Sequence, residues 1–249
     1  NNSFVVTSVV MDTGRAIVAA VPVRDSSNRV SGAVAAPLDL TESGMNTLAP
    51  AATLGKTGYV EIVDAEGIAW YSNFGEQTLG KLDPKTGKHM EYPVPEPKKG
   101  SPTGALSVRF DKEQNLWLGM MYQAGIAKFD KKSETFRVWN IPPDLNKANT
   151  QINMTSPMHI GVDGKVWTQN NGFAGVHRVD LKSGKWETWD PFKESPRGHN
   201  IYDVIADSQN NAFFTDIGRE HIGRIDAKTG KVTMFETPTK SSGPRRGMM

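Results

Sequence analysis

A strand-rich segment recurs four times along this chain, and that repeat decides what the chain can fold into. The aromatic residues Trp70, Trp117, Trp167 and Phe213 follow one another at steps of 47, 50 and 46. Asp83, Asp130, Asp180 and Asp226 follow one another at the same three steps. Between these markers lie short β-rich runs. One copy holds Asn115-Leu-Trp-Leu118, Ile126-Ala-Lys-Phe-Asp130 and Thr135-Phe-Arg-Val-Trp139; the last holds Ala212-Phe-Phe-Thr-Asp216, His221-Ile-Gly-Arg-Ile225 and Val232-Thr-Met-Phe235. A period in the forties, with strands and no helical pattern, predicts a propeller blade of four strands. The aromatic anchors are then expected between blades. Asp-Pro-Lys-Thr-Gly at 83–87 and Asp-Ala-Lys-Thr-Gly at 226–230 predict hairpin turns in which Gly takes a positive φ.

The repeat sets the boundaries. Blades are expected at about 64–97, 102–143, 157–192 and 198–238, and Gly243-Pro-Arg-Arg-Gly247 reads as the start of a fifth. The 249 residues suffice for one large all-β domain, or for a small domain with part of a larger one. Residues 1–63 do not follow the repeat. Runs at 4–11, 15–24 and 30–40, separated by turns at 12–14 and 25–28, have hairpin spacing and predict an antiparallel meander. Thr41 to Leu48 predicts a short helix with Thr41 as N-cap, weakened by Gly44. Tyr59 to Val63 fits two places, the last strand of this segment or the first inner strand of the propeller. The fold class expected is mainly β: a partial or four-bladed propeller of four-stranded blades, preceded by a small α/β segment.

Charge narrows the partners. With 29 basic and 27 acidic residues the net charge is +2, which gives no case for nucleic acid or an anionic membrane. No apolar run is long enough to span a bilayer. Cysteine is absent, so disulfides, thiolate metal sites and cysteine nucleophiles are excluded. Zero cysteine and an opening at Asn1-Asn2-Ser3 without Met fit a processed, exported product, periplasmic or extracellular. The partner expected is a small-molecule ligand or a protein, and four blades with an opening strand predict either ring closure or an oligomer through open blade edges.

Two resemblances add to this. Thr13-Gly-Arg15, Val21-Pro-Val-Arg-Asp25, Val30-Ser-Gly-Ala-Val34, Leu38-Asp-Leu40 and Leu54-Gly-Lys-Thr-Gly-Tyr-Val-Glu-Ile-Val-Asp-Ala-Glu-Gly67 resemble, in order and spacing, the closing half of a Cache sensor domain. That resemblance implies a ligand contact at Asp39, which otherwise caps the helix after it. Residues 64–249 resemble the streptogramin (virginiamycin B) lyase-like propellers. The carriers are Leu79-Gly-Lys-Leu-Asp83, Ile222-Gly-Arg-Ile-Asp226, Thr229-Gly-Lys-Val-Thr233, Glu236-Thr-Pro238 and the Pro-x-Gly pairs at 102–104 and 196–198. It implies a His paired with a Glu two residues before it, a Mg²⁺ ion, and opening of a cyclic ester by elimination. No Glu-x-His occurs in this sequence.

Propeller ligands sit at the channel mouth, on the loops that lead into the inner strands. Here those loops are 99–106, 150–160, 194–202 and 240–249. The 194–202 loop has the most room, with 17 residues from Pro196 to Phe213 against 15 from Pro102 to Trp117. It is expected to gather Arg197, His199 and Asn200, with His159 facing them and Arg245 nearby. His199 is the candidate base, and Glu194 the carboxylate in the same loop. Asp216 is similar to the metal ligand of calcium-dependent lactonase propellers, with Asn170, Asn171 and Asn200 as further oxygens, but the turn-forming reading is preferred and no metal set is assigned. His89, His177 and His221 read as packed or solvent-facing. The function expected is a non-catalytic exported propeller module binding a small polar or anionic ligand or a protein. The alternative is a lyase-like enzyme that depends on Mg²⁺.

Overall fold

The computed structural model describes the backbone of residues 5–11, 14–24, 30–37, 58–64, 66–102 and 104–247, with side chains from residue 64 onward within those ranges. The chain divides into two units, Asn1–Tyr71 with Gly80–Glu91, and Ser72–Leu79 with Tyr92–Met249.

In the first unit β1 (Val5–Met11), β2 (Gly14–Arg24) and β3 (Val30–Pro37) form an antiparallel sheet in sequence order, the expected meander. Met11 pairs with Gly14 at its first turn. The expected helix at 41–48 and the candidate contact Asp39 lie outside the described residues. Residues Gly58–Val63, here β4, head the first of four four-stranded sheets, with β5 (Ala69–Asn73), β6 (Thr78–Leu82) and β7 (His89–Pro93). Trp70 is buried, and its indole Nε1 donates to Asp64 Oδ2 at 2.8 Å.

The second unit holds three more four-stranded antiparallel sheets. They are β8 (Val108–Phe110), β9 (Leu116–Gly119), β10 (Gly125–Asp130) and β11 (Thr135–Asn140); β12 (Thr155–Ser156), β13 (Lys165–Asn170), β14 (Gly175–Asp180) and β15 (Trp186–Trp189); and β16 (Ile201–Ala206), β17 (Ala212–Asp216), β18 (His221–Ile225) and β19 (Val232–Glu236). Within each sheet neighbours in sequence are neighbours in space, which is the meander of a propeller blade.

The anchors are equivalent, as their spacing predicts. Trp117 pairs across the strands with Lys128, Trp167 with Arg178 and Phe213 with Arg224. Each cation lies over its ring, at 5.7, 4.6 and 6.0 Å from the centroid, and Lys81 lies 5.8 Å from Trp70 in the same way. Trp117 packs with Ile126, Trp139, Ile152, Val166 and Val179; Trp167 packs with Val176, Ile201, Val204 and Phe214. These clusters join the second sheet to the third and the third to the fourth. Phe213 differs in being only half-buried. The four recurrent Asp residues are turn formers: Asp226 Oδ1, for example, accepts from the backbone of Lys228 and Thr229 and from Thr229 Oγ1. Gly223 is required by packing, since a Cβ there would lie 2.0 Å from the Phe214 ring, and Gly80 stands in the same relation to Tyr71.

The third sheet departs from expectation. A one-turn helix, α1 (Ile160–Asp163), follows β12, so the inner strand lies before His159 rather than after it. Arg109 on β8 reaches across to β16, where it makes two bonds to the buried Asp203 carboxylate at 2.7 and 2.8 Å and one to the Val204 carbonyl at 2.7 Å. Among the described residues no helix is long and apolar enough to cross a membrane.

Candidate functional site at the strand ends of the fourth sheet

Hairpin geometry brings three side chains together. His199 stands two residues before β16, Asp216 is the last residue of β17, and His221 is the first of β18. Asp216 pairs with Ile201 on one side and with His221 on the other. All three therefore lie at the same end of adjacent strands. Strand ends hold side chains more rigidly than free loops do.

Asp216 is fully buried, and its two oxygens have different tasks. Oδ1 accepts from the backbone N–H of Asn200 at 2.9 Å and of Gly218 at 3.2 Å. Oδ2 faces the imidazoles, with His199 Nδ1 at 2.6 Å and His221 Nδ1 at 3.5 Å. The first of these is a hydrogen bond that fixes the His199 ring; the second is too long to be one. Among the described residues His221 Nδ1 thus has no hydrogen-bond partner, although it is buried. Phe192 stacks flat on His199, with ring centroids 3.8 Å apart and planes at 7°. A buried carboxylate on one ring nitrogen holds a histidine in one tautomer and leaves the other nitrogen as acceptor. Among the described residues nothing hydrogen-bonds Nε2 of His199.

A ladder of amides runs from this cluster into the third sheet. Asn200 Oδ1 accepts from Asn171 Nδ2 at 2.8 Å, and Asn171 Oδ1 accepts from Asn153 Nδ2 at 2.7 Å. Gln169 Nε2 also donates to Asn171 Oδ1, and to the carbonyls of Ile201 and Tyr202. The ladder fixes the backbone at 200–202, and with it the amide of Asn200 that binds Asp216.

The sequence candidates fall into separate places. Arg197, His199 and Asn200 do share one loop, with Arg197 exposed and its carbonyl accepting from Arg219 Nη2 at 3.3 Å. Glu194 is exposed; the carboxylate that pairs with His199 is Asp216, because β17 delivers it there through the sheet. His159 does not face His199. It follows the inner strand and sits with the turn residues Lys112 and Asp207, and burial followed by the Lys112 charge lowers its pKa. Arg245 is exposed, and its carbonyl accepts from Thr215 Oγ1. His177 is a core residue held by Asn170 and Thr188, with burial lowering its pKa to about 4. Asp216 and His221 complete the cluster, whereas the sequence favoured a turn-forming Asp216 and a packed or solvent-facing His221. The signal that finds them is the hairpin: a four-residue turn between 216 and 221 sets them opposite each other.

The Mg²⁺ implied by resemblance is a poor match for this donor set. Mg²⁺ seeks near-octahedral oxygen ligands. Here one carboxylate oxygen is taken by backbone N–H groups, and the remaining donors are one oxygen and two imidazole nitrogens.

No family model and no curated protein sequence matches the chain. Solved structures do. A catalytically inactive His-to-Ala variant of virginiamycin B lyase from Staphylococcus aureus, with quinupristin, matches at TM-score 0.62 and 16% identity, covering 98% of this chain and 77% of that one. A streptogramin B lyase matches at TM-score 0.59 and 19% identity, covering 98% and 75%. The WD40 repeats of RRP9 match at TM-score 0.52 and 10% identity, covering 70% and 49%. At these identities the likeness shows the fold, a lyase-like β-propeller, and hosts of that fold differ in what they do.

Proposed function

We propose that this chain is an exported propeller module that binds a small polar or anionic ligand at the strand ends around His199. The observation that carries the reading is the His199–Asp216 pair: a ring oriented by a buried carboxylate at 2.6 Å, backed by Phe192, with Nε2 left without a partner among the described residues. Holding the ring in advance removes the entropic cost of ordering it when a ligand arrives. Arg197 and Arg219, both exposed beside it, supply charge for an anionic group. Absence of cysteine supports the periplasmic or extracellular assignment, and the Cache resemblance of residues 3–67 makes a sensing role the natural variant of it.

The pair also favours a second reading, because an imidazole held by a carboxylate is the arrangement of a general base. In that reading His199 Nε2 removes a proton next to a leaving ester oxygen and a cyclic ester opens by elimination. The missing Glu-x-His places it second. One experiment separates the two. A fragment library rich in small carboxylates is screened against the parent chain and the Arg197→Ala/His199→Ala double variant, and quinupristin is incubated with both. Fragments that bind the parent and lose at least about tenfold in affinity in the variant support the ligand module. Ring opening of quinupristin by the parent alone would install the enzyme instead. Binding that survives the double change moves the site elsewhere.

A further inference from the structure

We propose that His199, Asp216 and His221 form a site for one divalent transition ion of the zinc class. The inference goes beyond the ligand reading and does not require it. Nδ1 of both rings and a carboxylate oxygen of Asp216 lie within 4.8 Å of one another. A second observation points to an ion independently. His221 Nδ1 is buried, aimed at Asp216 Oδ2 across 3.5 Å, and has no hydrogen-bond partner among the described residues. Leaving a buried polar atom unpaired is unfavourable, so its retention calls for a partner. A cation between the two rings and Oδ2 supplies one and takes the place of the proton that His199 shares with Asp216.

The chemistry of the donors selects the ion. Imidazole nitrogen suits Zn²⁺, Co²⁺, Ni²⁺ and Fe²⁺, whereas Mg²⁺ and Ca²⁺ prefer oxygen. Two His and one carboxylate make three protein ligands, the number that leaves a tetrahedral ion one position open. The support behind the ligands is already built. Asn200 N–H and Gly218 N–H hold the other oxygen of Asp216, which fixes the carboxylate with Oδ2 toward the rings. Phe192 stacks on His199 at 3.8 Å and lies 6.3 Å from the His221 ring, giving the site an apolar wall. The three ligands come from strand ends within one hairpin-linked sheet, so little chain ordering accompanies binding.

The test uses tag-free chain stripped with a chelator, titrated by calorimetry with Zn²⁺, Co²⁺ and Mg²⁺ in turn. One equivalent of Zn²⁺ or Co²⁺ is expected to bind and Mg²⁺ to leave no heat. His221→Ala and His199→Ala are each expected to weaken Zn²⁺ by at least about tenfold, while His89→Ala and His159→Ala leave it unchanged. Should a ligand variant fail to fold, X-ray absorption at the zinc edge of the unaltered chain decides, with two imidazole nitrogens and one carboxylate expected. No stoichiometric ion on the parent chain, or binding indifferent to both His199→Ala and His221→Ala, overturns the site. An ion bound as described, with no fragment captured in the screen above, overturns only the ligand reading.

Discussion

His177 shows how one buried side chain ties stability to pH. Its ring is fully buried between Asn170 and Thr188, and burial alone holds its pKa near 4 against an ordinary 6.5. The unfolded chain therefore takes up a proton at a higher pH than the native one. Stability is full above about 6.5, falls as pH drops toward 4, and levels off below, a loss of roughly 3 kcal/mol. The turn aspartates titrate in another window. Their pKa values lie below 3.8, with Asp226 at about 2 because of its bonds to Thr229, so their contribution is lost only as pH falls below 3.8. Urea unfolding of the parent and of His177→Gln between pH 4 and 7 checks this: the parent loses stability on acidification and the variant loses much less. Parallel curves would contradict it. The same scale explains why the site is only half-legible in the sequence. His199 is readable as a polar residue in a long loop; its partner Asp216 is not, since an Asp after Phe-Thr reads equally well as a turn former until strand pairing aims it.

At the scale of strands the sequence is more fully legible, because each blade repeats the same chemistry in the same register. The anchor rings and the cations opposite them share the steps of 47, 50 and 46, and the structure pairs them directly. Trp117→Ala and Trp167→Ala are each expected to cost about 3–5 kcal/mol, as large core aromatics do. Phe213→Ala is expected to cost less, since its ring is half-buried. Denaturant midpoints for the three variants test the order; a loss at Phe213 equal to that at Trp117 would show that its outer face is covered too. The third sheet is where sequence and structure part. Its turn is two residues shorter, with Asp163 four residues before Trp167 where Asp111 stands six before Trp117. Trp117 Nε1 bonds its own turn at Asp111, whereas Trp167 Nε1 crosses to the carbonyl of Asn210 in the next sheet. With α1 in place of a plain turn and only two residues in β12, His159 shifts to the opposite end of its strand from the one its position in the repeat suggests.

At the scale of the second unit, contacts far apart in sequence set what surrounds the site. Arg109 and Asp203 are 94 residues apart, and no local pattern pairs them; only the folding of successive sheets brings β8 within reach of β16. The amide ladder from Asn153 through Asn171 to Asn200 is non-local in the same way, and it positions the backbone that holds Asp216. Three places then compete as the working end: the cluster at His199, the turn end around His159 and Asp207, and the shallow groove lined by Lys128, Arg137, Trp139 and Leu181. An amide-detected NMR screen of the isotope-labelled chain against small carboxylates tests them together. The expected result is that signals of His199, Asn200, Asn171 and Asp216 to His221 shift, and that those of the other two places stay still. Shifts gathered at His159 and Asp207, or along Lys128 to Trp139, with the His199 cluster unmoved, would contradict the central claim.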